Sequence, residues 1–334
     1  MTAYSYRDVL IVPAYSEVTS RSNVDLSTQL GPIKLNLPII SANMKTITGY
    51  KMAVAMYNGG GLSILHRFYS IEQAVDEYKK CNHINVGVSI GVKEDDKKRF
   101  DKLYKAGARL FCIDVAHGHH VLVKNMIKWI KNQEFLFTRD VKDRPIIIAG
   151  NIATADAAFD LTEWGADIMK CGLGNGKQCS TRRQTGVGYP QLTALENIAE
   201  QLNNQRVKPG IIADGGITCV GDIAKSLKFA DTVMIGSFIS GTSETPGNVF
   251  KNEKGQFYKV YSGSASGENK NDNSFVEGMT SEVLFKGHVR YILDEIKNGL
   301  SSSFSYVGAN NLAEFKQRCK FVQISEGAMI ESKF

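Results

Sequence analysis

Eight short apolar runs recur down the chain without alternating with polar residues: 37–41, 61–65, 86–90, 110–114, 145–149, 167–171, 210–213 and 232–235. A strand with one wet face alternates. A short continuous run fits a strand buried on both faces of a parallel sheet. Helix-length segments separate the runs, at 70–80, 96–106, 121–132, 154–164, 191–203 and 220–227. Repeated βα units close either a doubly wound sheet or a barrel, and eight of them favour a (β/α)8 barrel of the TIM type. Such barrels run to about 250 residues or more as one domain, so a single catalytic domain over 1–334 is expected, α/β in class.

In a barrel the active face is built where the strands end. Those ends read Ser41-Ala42-Asn43-Met44, His66-Arg67, Gly91, Asp114-Val115-Ala116-His117-Gly118, Gly150-Asn151, Gly172-Leu173-Gly174, Asp214-Gly215-Gly216 and Gly236-Ser237. Any one of these is an ordinary turn. Their shared placement is what suggests a rim of chemistry. A polar stretch at 263–274, after the eighth unit, is long for a plain connection and reads as an active-site flap.

Composition narrows the class. Net charge is +6, with Lys and Arg interleaved with Asp and Glu, and the run Lys93 to Arg99 reads as a solvated helix face. Nucleic acid is therefore not an expected partner, whereas a small anion is compatible. No apolar stretch approaches the roughly 18 residues of a membrane span, and residues 1–10 lack the apolar core of a secretory signal. Six scattered cysteines without a CxxC pair argue for a reducing, cytoplasmic setting, without disulfides or zinc.

The segment Gly172-Leu173-Gly174-Asn175-Gly176-Lys177-Gln178-Cys179-Ser180-Thr181-Arg182 follows the sixth run. Its alternate glycines let the backbone bend and present carbonyls or amides at close range. The carbonyls of Gly174, Gly176 and Cys179 are candidates to hold a monovalent cation such as K+. Cys112 and Cys171 lie inside apolar runs, as structural cysteines do, but Cys179 lies on the loop, where a nucleophile belongs. Lys177, Arg182 and Arg183 nearby would favour its thiolate. Asp214-Gly215-Gly216 and Gly236-Ser237 end the seventh and eighth runs, where barrels commonly bind phosphate.

With these blocks in place the chain resembles the family of inosine-monophosphate dehydrogenase and GMP reductase. The resemblance runs through Asp8 to Ser16, Arg21 to Thr28, Ser41 to Met44, Asp114 to His119, the Cys179 loop as far as Gly188, Ala213 to Gly216, and Ser305 to Ala309. Three features point to the reductase branch. Gly188-Tyr189-Pro190-Gln191 has the reductase form, and 71–82 runs directly into the third strand with no inserted regulatory domain. The stretch 267–276 also lacks the Arg-Tyr pair with which the dehydrogenase activates water; its only nearby base is Lys270.

The resemblance implies NADPH-dependent reductive deamination of GMP to IMP and ammonia through a covalent cysteine–purine intermediate. It assigns Cys179 as nucleophile and Thr181 with Glu277 as the pair that protonates the leaving amine. It places substrate ribose on Asp214 and phosphate on Gly216, Gly236, Ser237 and Tyr261, with Lys177 standing where the family has a serine. Asp114 falls near the nicotinamide ribose, and Ser302 and Tyr306 match positions reaching a neighbouring subunit's cofactor site, which implies a homotetramer. Glu268 is a rival for the acid role in the variable part of the flap. Two alternatives stay open: an NAD-dependent IMP dehydrogenase without the regulatory domain, and a catalytically silent purine-nucleotide-binding barrel.

Overall fold

A computed structural model describes residues 2–82, 84–133, 140, 143–205, 208–263 and 278–331. Eight parallel strands close into a barrel: β1 (Ile39–Ser41), β2 (Leu62–Leu65), β3 (Gly87–Ile90), β4 (Leu110–Asp114), β5 (Ile146–Ile152), β6 (Ile168–Cys171), β7 (Gly210–Asp214) and β8 (Thr232–Ile235). Each hydrogen-bonds to the next in chain order, and β8 returns to β1 through Val233–Ile39, Met234–Ile40 and Ile235–Ser41. All eight apolar runs are barrel strands. β5 outlasts its run to Ile152, because its register against β6 shifts between Gly150 and Ile152.

The longer helices are α1 (Tyr50–Asn58), α2 (Ile71–Lys80), α3 (Glu94–Lys105), α4 (Val121–Lys131), α5 (Ala155–Trp164), α6 (Gln191–Asn203), α7 (Val220–Leu227) and α8 (Val289–Tyr306), with short helical turns at Thr181–Thr185, Leu312–Arg318 and Glu326–Glu331. Local chemistry sets their ends. Ser70 and Gln73 form a capping box at the start of α2, which satisfies two otherwise orphaned amides. Helix α3 carries Glu94, Asp95 and Asp96 in its first turn and Lys102 and Lys105 in its last, matching the helix dipole. It fully buries only Phe100 and Leu103, and the charged run is solvated as expected except at Asp96 and Arg99, whose side chains are 15% and 11% exposed.

A hairpin of Thr28–Leu30 and Ile33–Leu35 closes the N-terminal end of the barrel. Leu30 and Gly31 lie against Gly210 and Ile168, where β7 and β6 begin. With that end sealed, ligands have the other end. Between β8 and α8 the chain makes a long excursion carrying a three-stranded sheet, Phe250–Lys251, Phe257–Ser262 and Thr280–Leu284. Most of the expected flap (264–274), together with Glu268, Lys270 and Glu277, lies outside the described residues. Among the described residues no helix is long and apolar enough to cross a membrane.

Candidate active site

The strand ends carry a buried ionic centre. Lys170, in the middle of the apolar β6, is 3% exposed. Its Nζ lies 3.0 Å from Asp114 Oδ1 at the end of β4 and 3.0 Å from Asp214 Oδ2 at the end of β7. Asn151 Nδ2 donates to the same Asp214 oxygen at 2.8 Å and to the Gly172 carbonyl at 2.8 Å. On the other flank Arg67 Nε donates to the Asp114 carbonyl at 3.1 Å and stands 3.9 Å from its Oδ2. Burial works against charge on Lys170, yet the Asp214 and Asp114 carboxylates hold it above the usual lysine range. Burial likewise pushes Asp114 up, but Lys170 and then Arg67 outweigh it and hold the carboxyl below its ordinary value. The sequence reading assigned Asp114 and Asp214 to different ligands and overlooked the lysine joining them.

Beside this centre His66 ends β2, 2% exposed. Its Nδ1 accepts the Phe68 amide at 3.1 Å, while its Nε2 has no hydrogen-bond partner among the described residues. Burial, with Lys45 and Arg99 adding to it, drives its pKa down to about 4, so the ring is neutral at pH 7.

The Cys179 loop departs from β6 at Gly172. That residue has φ +151°, and a side chain there would collide with the Asp214 carbonyl, so the loop leaves through a position only glycine fills. The Asn175 amide donates to the same carbonyl at 3.1 Å and ties the loop back to β7. Cys179 is half-buried, and its thiol donates to the Thr181 hydroxyl at 3.1 Å. Cys179 also forms an antiparallel bridge with Gly278. Gln178 accepts the Met279 amide at 3.0 Å and its own amide donates to Ser281. The loop is thereby zipped to the chain that follows Glu277. By contrast, Cys112 and Cys171 are fully buried, with thiols pushed up by burial, Cys112 to about 12.

A cavity of about 780 Å³ opens next to the loop. It gathers Lys177, Gly216 and Ser237 from the phosphate candidates and adds Arg7, Arg182 and Lys286, with Glu295 as its carboxylate. Lys286 donates to the Phe238 carbonyl at 3.0 Å. Burial, and then Lys177, lowers its pKa. Arg182 donates to the Tyr189 carbonyl and packs its stem on Gly174 and Gly188, so it braces the loop as well as lining the cavity. Gly236 and Tyr261 stand together a little deeper. The buried Tyr261 hydroxyl is 3.9 Å from the Met44 sulfur and 3.4 Å from where a side chain on Gly236 would begin.

Ser302 and Tyr306 are elsewhere. They lie on α8, which packs on α7 and α1 outside the barrel, whereas Asp114 ends β4, across the barrel from β8. Tyr306 is 61% exposed. Within one chain the structure does not bring them to Asp114. Lys170, and Arg7 and Lys286 at the cavity, are site residues not singled out from the sequence. The available signal was a lysine inside a run otherwise buried on both faces.

Fold and geometry together define a β/α-barrel enzyme whose thiol is offered on a glycine loop beside a cationic cavity. Known relatives narrow the class. Residues 3–334 match the family described as IMP dehydrogenase / GMP reductase domain, and the chain belongs to that family. It is 37% identical over 325 residues to the GMP reductase of Acidovorax sp. (strain JS42), covering 95% of each chain. It is 39% identical over 316 residues to that of Bacillus licheniformis, covering 92% of each. Among solved structures it is similar to a Cys-to-Ala variant of GMP reductase from Trypanosoma brucei in complex with guanosine 5'-monophosphate. That match has a TM-score of 0.90 at 28% identity, over 100% of this chain and 98% of that one.

Proposed function

We propose that the chain catalyses NADPH-dependent reductive deamination of GMP to IMP and ammonia. The observation that carries this reading is the Cys179 thiol, hydrogen-bonded to Thr181 on a loop that adjoins a cavity rich in cations. In this reading the ribose rests on Asp214, and the phosphate meets Gly216, Gly236, Ser237, Tyr261 and Lys177. Lysine supplies a direct charge contact in place of a hydroxyl. The sulfur bonds to purine C2, and the C2–N bond breaks once the exocyclic amine has gained a proton. An amine of this kind departs only when protonated, which is the task of Thr181 with Glu277. Glu277 is the chain neighbour of Gly278, which pairs with Cys179. The C–S bond then breaks as a hydride arrives at C2, returning the thiolate and releasing IMP.

Reduced nicotinamide supplies that hydride when bound. The residues at the β2 and β4 ends suit a polar ring substituent and a ribose, since the buried His66 Nε2 lacks a partner among the described residues and Asp114 offers a carboxylate. Ser302 and Tyr306 belong to this cofactor site only if a second copy supplies them, so the reading includes a homotetramer. It also includes K+ on the carbonyls of Gly174, Gly176 and Cys179. The Gly176 carbonyl accepts the Cys179 amide at 3.0 Å and keeps a second lone pair for a cation. Hydrolysis to XMP is disfavoured because 267–276 contains no Arg or Tyr to activate water.

The test is nicotinamide absorbance with GMP plus NADPH in one reaction and IMP plus NAD in another. Loss of NADPH with GMP, abolished in Cys179→Ala, is the expected result. NADH formation from IMP would make the chain a dehydrogenase. Nucleotide binding with neither reaction would make it a silent barrel.

A further inference from the structure

We infer that Lys170 is a positioning residue for this reaction, holding the carboxylate offered to the substrate ribose and the carboxylate offered to the cofactor in one rigid unit. The inference rests on the proposed function for what Asp214 and Asp114 touch, and on geometry for the rest. Two strand ends meet at its ammonium, with 3.0 Å to Asp114 Oδ1 and 3.0 Å to Asp214 Oδ2. Neither carboxylate is free to rotate independently. Asp214 is also held by Asn151 at 2.8 Å, and Arg67 closes on the Asp114 side.

Two half-buried carboxylates, 13% and 20% exposed, this close to one shared cation do not both stay fully ionised without it. The groups facing the pair are Arg67 and the neutral His66 from the end of β2, Cys112 from β4, Asn151 from β5 and, around Asp214, Cys171 from β6, Tyr6 from the N-terminal segment and Tyr261 from the sheet after β8. Asn43, from the end of β1, is a further hydrogen-bonding neighbour of Asp114. Apart from Arg67, which is 36% exposed and 3.9 Å away, none of these is a cation. Without Lys170 a proton must replace it, and a carboxyl that accepted a ribose hydroxyl becomes one that donates. Substrate and cofactor would then be held at altered spacing, an error of the kind that costs rate more than affinity. Lysine in the core of a strand is costly unless paired, so its place in β6 calls for a reason beyond packing.

The experiment compares wild type with Lys170→Met and Lys170→Arg. The first readout is the carboxyl 13C titration of Asp114 in unliganded protein, assigned with Asp114→Asn. The second is the pH profile of kcat, with KM for both ligands. In Lys170→Met the Asp114 titration should move up by about two pH units. Its kcat should fall about 100-fold, with a new loss of rate on the acidic side of neutrality. Lys170→Arg should recover kcat to within about tenfold and restore the wild-type titration. If Lys170→Met does not melt cooperatively, Lys170→Gln serves instead, with the same upward move expected. An Asp114 titration unchanged by loss of the charge, or a rate loss equal in the Arg and Met variants with no change of pH profile, overturns the inference. A wild type that does not oxidise NADPH with GMP sinks the proposed function instead, while the titration still decides the role of Lys170.

Discussion

Eight residues separate Lys170 from Cys179, yet the two regions of the barrel mouth are held by different means. Lys170, Asp114 and Asp214 sit on three strands of the closed sheet. Their spacing is set by the barrel ladder and locked by charge around a lysine that water barely reaches. Cys179 sits beyond a glycine hinge and owes its place to polar contacts: Asn175 to β7, Arg182 to Tyr189, and the bridge to Gly278. The strand ends suit groups that must not move while ligands are gripped. The loop suits a sulfur that must reach a carbon, bond to it and withdraw. In the proposed reaction, the groups that grip the ligands and the sulfur that attacks are divided between neighbouring segments on either side of Gly172.

The contrast can be broken at either end. The largest expected effect is on the loop: Cys179→Ala should lower turnover by at least about 10³-fold while nucleotide binding, read by calorimetry, persists. If substantial turnover survives, the loop is not the moving part. On the strand-end side, His66 tests rigidity through stability. Its pKa of about 4 lies below the roughly 6.5 of an unfolded histidine, so the unfolded chain takes up the proton first. Stability is therefore full above about pH 6.5 and falls toward pH 4, by on the order of 3 kcal/mol. Denaturant melts of His66→Gln should show a flatter profile over that window, and a profile like that of wild type would remove His66 from the buried centre.

Thr181→Val removes the hydroxyl that meets the thiol at 3.1 Å. It should lower kcat by about 100-fold with little change in melting temperature. A large stability loss would mean that the loop is packed more like the strand ends than this account allows. The smallest effect belongs to Lys177→Met at the cavity. KM for the nucleotide should rise about tenfold with kcat nearly unchanged, and its salt dependence should weaken. A fall in kcat instead would tie phosphate grip to loop placement.

The barrel itself was legible from pattern. Buried parallel strands must be apolar on both faces, and each of the eight runs became one. The glycine loop was legible as well, because alternate glycines around a cysteine have few purely structural uses. Less legible were α1 and α8, the plug hairpin and the sheet after β8, whose boundaries depend on what they pack against. Lys170 escaped because its sequence neighbours, Met169 and Cys171, argue only for a strand. Its partners lie 56 residues before it and 44 after it, at Asp114 and Asp214.

What the amino-acid order determined by itself was therefore periodic and local: the number of βα units, the ends that face ligand, and the chemical character of the loop. Closure of the barrel decided which distant residues meet. It turned two carboxylates read as belonging to separate ligands into partners of one lysine at 3.0 Å each. It also left Tyr306 exposed on an outer helix, away from Asp114 of its own chain. The physical reason is that periodicity reports which face of an element is buried, whereas an ion pair depends on the register and closure of strands far apart in sequence.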